Sequence, residues 1–284
     1  MAKVYYNNGL VDASQPLLTA EDRSFRFGDG LFESMVAFEG VVPLLPYHYE
    51  RLQRSCELLQ MKLPLHFNFD WLKETVSVLL LRNNFRNARI RIQVSRAGGG
   101  FYLPVTDEVN ILISSTEIPN ESFEWSSVKA DFSPYRSDVG ILSNLKTTSR
   151  ISHVMSSLHA QKVNAQECFI FNNKGTLAEA INSNVFLISG DTIVTPALTN
   201  GGVSGVMRRY VISLLEKKRR VVQADVLMKD IDEADEIFVT NAVRGVQSIA
   251  VVGSVVYSDQ QTREIFKQVN DGIREIISGI KAVV

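Results

Sequence analysis

Lys146 lies in Leu142-Ser143-Asn144-Leu145-Lys146-Thr147-Thr148-Ser149, between an apolar strand-like stretch and a helix start. A lysine that can lose its proton attacks carbonyl carbon and can later carry a proton to and from a neighbouring carbon. Standing alone at such a junction, it is most often a solvated charge. Ser143-x-x-Lys146 also matches a pattern in which the serine is the nucleophile. That pattern needs Ser-Asp-Asn and Lys-Thr-Gly elsewhere; neither occurs, and Lys146-Thr147-Thr148 only approaches the second.

Glu179 follows the turn Asn172-Asn173-Lys174-Gly175 and precedes the apolar strand Asn184-Val185-Phe186-Leu187-Ile188. Without Lys146 it would be a hairpin glutamate in water. Gly201-Gly202-Val203-Ser204-Gly205-Val206-Met207-Arg208 leads into a helix. A helix N-terminus offers unpaired N–H groups and positive dipole, and glycines before it let an anion reach the backbone. The run has neither Gly-x-Gly-x-x-Gly spacing nor the Gly-Lys-Ser/Thr of a P-loop. Arg51, in His48-Tyr49-Glu50-Arg51-Leu52, carries a planar fork able to pair two phosphate oxygens, although a surface helix can hold such an arginine for no such purpose.

In this order, Arg51, Lys146, the Glu179-Ala180-Ile181-Asn182-Ser183-Asn184 run and Gly205-Val206-Met207 resemble the class IV aminotransferases. These are the fold-type IV enzymes of pyridoxal 5'-phosphate (PLP), among them branched-chain and D-amino-acid aminotransferases and aminodeoxychorismate lyase. Glu179, Ser183, Asn184 and Phe186 match the family fingerprint most closely, and Asp22-Arg23-Ser24-Phe25-Arg26-Phe27-Gly28-Asp29-Gly30 resembles its Asp-Arg…Phe-Gly-Asp-Gly segment. The resemblance implies that Lys146 is the catalytic lysine joined to the PLP aldehyde. It implies that Glu179 faces the pyridine nitrogen and keeps it protonated, so that the ring accepts electrons. The phosphate would be held by Arg51, by the amides of Val206 and Met207, and by the hydroxyl of Thr240. The implied fold is mixed α/β, two α/β domains with the cofactor between them, in a homodimer.

Three features lean towards the lyase, which forms p-aminobenzoate and pyruvate for folate. Asn241-Ala242-Val243-Arg244-Gly245 resembles a lyase-type Asn-Ala/Ser-Leu-Arg-Gly. Arg150 follows the lysine where branched-chain enzymes carry a tyrosine at similar distance, and Ser95-Arg96-Ala97-Gly98-Gly99 resembles a lyase stretch. Phe32-Glu33-Ser34 reads instead like an aminotransferase, and Gly100-Phe101 replaces an arginine common in lyases. Arg96 and Arg244 are candidates to hold a substrate carboxylate in either reaction. The expectation is therefore 4-amino-4-deoxychorismate lyase, with an amino-acid aminotransferase as the alternative and an inactive binding scaffold as a third possibility.

These residues need elements to position them. Asn8-Gly9 and Glu39-Gly40 predict hairpin turns. Helices are expected from Pro46 towards Met61, over 70–82, 149–163, 206–218 and 258–281; the last carries Ile265, Val269, Ile273, Ile276 and Ile280 as a stripe. Strands are expected at 89–94, 109–113, 168–171, 185–188, 193–195 and 237–240. The polar Glu117-Ile118-Pro119-Asn120-Glu121-Ser122 predicts a linker at 118–124, between an N-terminal domain (1–117) and a C-terminal PLP-binding domain (125–284).

The chain has 284 residues, 45% hydrophobic and 21% charged, with a formal net charge of -1. Such a charge draws in neither nucleic acid nor anionic membrane, and Lys217-Lys218-Arg219-Arg220 suits a helix end. Cys56 and Cys168 are too few for a disulfide framework, and the N-terminus has no apolar signal core, so a cytoplasmic setting is expected. No apolar run approaches the roughly 20 residues of a membrane span. The four histidines show no metal-binding spacing; His153 and His159 are expected on a helix surface.

Overall fold

The computed structural model describes residues 2–283. They form two compact units. One comprises the chain up to Ser122, Lys146–Ser149 and the residues from Glu275 on; the other comprises Phe123–Leu145 and Arg150–Arg274. The break after Ser122 lies inside the expected linker at 118–124, while Lys146–Ser149 and the residues from Glu275 on, expected with the C-terminal domain, group with the first unit. The lysine segment belongs to the first unit because its backbone pairs there with a strand, as described below.

The first unit contains β1 (Lys3–Tyr6), β2 (Gly9–Asp12), α1 (Arg23–Phe27), β3 (Gly30–Ala37), α2 (Leu45–Leu58), α3 (Phe69–Asn83), β4 (Ala88–Arg96) and β5 (Val109–Glu117). Its sheet runs β2-β1-β5-β4-β3, antiparallel throughout. The alternation of Arg89-Ile90-Arg91-Ile92-Gln93-Val94 divides the faces as expected. Ile90, Ile92 and Val94 are fully buried with Leu31, Met35, Ile111 and Ile113. The Glu39-Gly40 turn has positive φ at both positions, 52° and 79°, which a tight two-residue hairpin turn requires. The first hairpin turns one residue earlier than expected, at Asn7-Asn8, because Tyr6 pairs with Gly9.

The second unit contains β6 (Ser127–Phe132), α4 (Ile151–Lys162), β7 (Glu167–Phe171), β8 (Leu177–Ala180), β9 (Asn184–Ser189), β10 (Thr192–Pro196), α5 (Val206–Leu215), β11 (Arg220–Ala224), α6 (Met228–Asp232), β12 (Glu236–Asn241), β13 (Gly245–Val252) and β14 (Val255–Val256). Its sheet runs β11-β10-β9-β12-β13-β6-β7-β8, with β14 on β13. The central strands are apolar on both faces, as in Ile237, Phe238 and Val239, all at most 1% exposed. The last helix, α7 (Gln260–Val283), begins in the second unit and ends in the first. Ile265, Val269 and Ile273 of its stripe are buried.

Candidate active site

Within the first unit, Lys146 is placed by backbone pairing. The Phe32 amide donates to the Lys146 carbonyl at 2.9 Å, the Thr148 amide donates to the Gly30 carbonyl at 2.8 Å, and Leu31 bridges Thr147 antiparallel. A short strand is thereby added to the open edge of β3, with Lys146 opposite Phe32. Residues opposite each other share a face. Accordingly the lysine Nζ lies 4.5 Å from the Phe32 ring centroid. Lys146 is half-buried.

Arg51, on α2, lies towards the core side of β3. Its Nε donates to Glu33 Oε1 at 2.7 Å and its NH2 to Glu33 Oε2. His48 Nδ1 lies 2.6 Å from Glu33 Oε2. His48 and Arg51 are three residues apart, so one helix face delivers both to the same carboxylate. Burial raises the Glu33 pKa, but Arg51 and His48 outweigh it and bring it to about 2. Burial lowers that of His48. The sequence reading gave neither Glu33 nor His48 a part in this cluster; the three-residue interval to Arg51 was the available signal for His48, and none marked Glu33 on β3.

Arg96 was expected to be available to a substrate carboxylate. It is instead buried, with Nε on Asp29 (3.0 Å), NH1 on the Gln60 carbonyl (2.9 Å) and NH2 on the Leu59 carbonyl (2.6 Å). It closes the C-terminus of α2, and all three of its nitrogens are committed. Asp29 also accepts from Arg23 Nε at 2.8 Å, and Arg23 NH1 donates to the carbonyls of Gly99 and Phe101. The Asp-Arg…Gly-Asp-Gly and Ser-Arg motifs thus form one buried tie.

Within the second unit, Glu179 sits on β8, only 5% exposed. It is not the hairpin glutamate in water that its local sequence would suggest. Its Oε2 accepts from the Val203 amide at 2.9 Å, and its Oε1 lies 2.9 Å from His153 Nε2 and 4.0 Å from Arg150 NH1. His153, expected on a helix surface, is therefore turned to the carboxylate. Arg150 is the residue just before α4, and His153 follows within its first turn, so both reach the same carboxylate. Arg150 NH2 also donates to the Leu145 carbonyl at 2.6 Å.

The glycine-rich run is lashed to the same strands. Val203 donates to Glu179 through its amide and accepts from Asn184 Nδ2 at 2.8 Å through its carbonyl. A Cβ at Gly202 would come 2.4 Å from the Ala178 carbonyl, and one at Gly205 would come 1.8 Å from Asn184 Oδ1. α5 then starts at Val206 with no side-chain cap, and among the described residues no acceptor meets the amides of Val206 and Met207. Thr240, at the end of β12, is 1% exposed and its Oγ1 has no hydrogen-bond partner. Buried hydroxyls without partners are costly and uncommon. A bare helix start and an orphaned hydroxyl suit a phosphate, and a fixed carboxylate suits a protonated ring nitrogen, so these residues fit PLP.

Arg244 is exposed on the β12–β13 turn, where Asn241 Oδ1 accepts from the amides of Val243 and Arg244 at 3.0 and 2.8 Å. Ser143 donates to the Gly140 carbonyl at 2.6 Å, so the hydroxyl of the rival Ser-x-x-Lys reading closes its own turn. Burial pushes both cysteine thiols up to about 12, which removes them as nucleophiles.

Residues 30–252 match the family model for amino-transferase class IV. The chain belongs to the class IV aminotransferase family. Class IV relatives differ in reaction. An aminodeoxychorismate lyase of Vibrio harveyi is 27% identical over 257 residues, covering 88% of this chain and 92% of the relative. A D-alanine aminotransferase of Staphylococcus epidermidis is 27% identical over 286 residues, covering 98% of each. The branched-chain aminotransferase of Thermoproteus uzoniensis with norvaline superposes with a TM-score of 0.88 at 21% identity, over 96% of this chain and 94% of that one. The fold is that of the fold-type IV PLP enzymes, a family that includes lyases and transaminases. Among the described residues no helix is long and apolar enough to cross a membrane, and no cluster of side chains could hold a metal ion.

Proposed function

We propose that this protein is a PLP-dependent 4-amino-4-deoxychorismate lyase, forming p-aminobenzoate and pyruvate in the folate pathway of the cytoplasm. The observation that supports the lyase is Arg150. By the resemblance it stands where branched-chain enzymes carry a tyrosine at similar distance past the lysine; it grips the carbonyl just before Lys146 and stands 4.0 Å from Glu179. Bound PLP would supply an electron sink for the pair released at the amine-bearing carbon. Lys146 would bind the aldehyde and carry the proton at that carbon. Glu179, held by Val203 and His153, would keep the ring nitrogen protonated. Arg51, Val206, Met207 and Thr240 would hold the phosphate, and Arg244 a substrate carboxylate.

Incubation with 4-amino-4-deoxychorismate should release p-aminobenzoate; its absence sinks the lyase. The second reading is an amino-acid aminotransferase, favoured by Phe32-Glu33-Ser34. It would be recognised by amino transfer from an amino acid to 2-oxoglutarate. A homodimer is part of the proposal, supported by Ile151, Val154 and Leu158, which lie on one face of α4 and are 71%, 51% and 54% exposed. Sedimentation should give twice the monomer mass.

A further inference from the structure

The first turn of α5 carries a cation that the fold by itself does not account for. Val206, Met207 and Arg208 open this helix, and its first turn holds no acid. A positive charge there opposes the positive end of the helix dipole. Arg208 is only 5% exposed, and its stem lies against the helix start: a Cβ at Gly205 would come 3.2 Å from that of Arg208. Its NH2 donates to the Pro196 carbonyl at 3.0 Å and to Gln223 Oε1 at 2.9 Å, both neutral acceptors. Among the described residues no carboxylate pairs with it. Burial lowers its pKa to about 10, and no acid acts in the other direction, so it is charged at neutral pH. A buried charge matched only by neutral groups costs stability.

Strand register brings this cation level with Thr240. β10, β9 and β12 are neighbours in the sheet. Val194 pairs with Leu187 and Thr240 with Asn184. Pro196 and Thr240 therefore lie at one end of the sheet, two strand spacings or about 10 Å apart. The bare amides of the α5 start and the unbonded Thr240 hydroxyl already suit a phosphate. An anion held there would meet a buried positive charge behind the groups that bind it.

We propose that Arg208 supplies a buried counter-charge to the PLP phosphate, raising the affinity of the α5 start for a dianion from behind the groups that hold it. The proposal rests on that helix start being the phosphate site. Across about 10 Å of protein, attraction between a guanidinium and a dianion is large enough to change binding by roughly tenfold or more.

The test is equilibrium dialysis of the full chain against PLP and against pyridoxal, which lacks the phosphate. Arg208→Gln should weaken PLP binding about tenfold and leave pyridoxal within about twofold of wild type, while Arg208→Lys, which keeps the charge, stays close to wild type for both. Gln223 gives a second route, because it is exposed and its Oε1 lies 2.9 Å from Arg208 NH2. Gln223→Glu leaves Arg208 in place but pairs it with a carboxylate. The unsupplemented protein should then melt no lower than wild type, and PLP affinity should fall about threefold with pyridoxal unchanged. A purely structural Arg208 would weaken both ligands alike in Arg208→Gln and would lose nothing in Gln223→Glu. If Arg208→Gln does not fold, Gln223→Glu decides alone. The same ratio of PLP to pyridoxal affinity in wild type, Arg208→Gln and Gln223→Glu, or equal losses in Arg208→Lys and Arg208→Gln, overturns the proposal. Wild-type protein that binds pyridoxal as tightly as PLP refutes the phosphate site itself, and the proposal with it.

Discussion

Glu33→Gln is the substitution whose effect can be worked out furthest. Glu33 and Arg51 side chains are 2% and 13% exposed, and the carboxylate accepts both fork bonds of Arg51 as well as facing His48. An amide of the same size can accept with its oxygen only; its NH2 meets donors where Oε once accepted. Removing the charge of one partner of such a buried pair takes the carboxylate away from a desolvated guanidinium, at a cost of about 3–5 kcal/mol. For a chain of this length the melting temperature should fall by roughly 10 °C, and urea midpoints should fall with it. The pH dependence has a definite sign. Folded Glu33 titrates at about 2 against an ordinary 4.5, so its contribution is complete above the ordinary value and is lost as pH falls towards 2. Wild type should therefore lose more stability than Glu33→Gln on acidification through that window. A variant within about 1 kcal/mol of wild type at neutral pH would refute the reasoning, since that is the size of an exposed ion pair.

Gly205→Ala should cost about 1–3 kcal/mol and weaken PLP binding, because its Cβ would displace Asn184 Oδ1 from 1.8 Å; thermal melts and PLP titration would show both. Thr240→Val should leave the unsupplemented protein as stable as wild type or slightly more so, since its hydroxyl is unbonded, while PLP affinity falls about tenfold by fluorescence titration. Glu167 is buried, and burial raises its pKa to about 7, against amide hydrogen bonds and the Arg244 charge. The raised value favours the protonated form in the fold, so stability should fall as pH rises from 4.5 to 7 and then level off; Glu167→Gln should flatten that slope in urea titrations at stepped pH.

Periodicity located the elements that bury a face. The β4 alternation, the α7 stripe and the apolar β9 and β12 all lie where sequence placed them, within a residue or three at their ends. It did not locate β8, the four residues Leu177–Ala180 that carry Glu179, because Leu-Ala-Glu-Ala is short and has none of the β-branched and aromatic residues that made β9 and β12 legible as apolar runs. Nor did it assign Lys146 to the first unit. The residues that do so, Gly30 and Phe32, are distant in sequence and act through backbone bonds, which are blind to side-chain type. The fingerprint around Glu179 was legible because its members act on one residue: Glu179 accepts from the Val203 amide and Asn184 donates to the Val203 carbonyl. Arg96 was misread for the same reason in reverse. A motif arginine can be retained in a pattern for a buried tie as readily as for a ligand, and only its three protein acceptors tell the two apart.

The most direct measurement is reductive trapping of the PLP-supplemented protein with borohydride, followed by peptide mass spectrometry. The yellow band near about 410 nm should be discharged and a phosphopyridoxyl mass found on Lys146, with band and activity both lost in Lys146→Ala. A colourless protein, or an adduct on any other lysine, would contradict the assignment of Lys146 and with it the proposed chemistry.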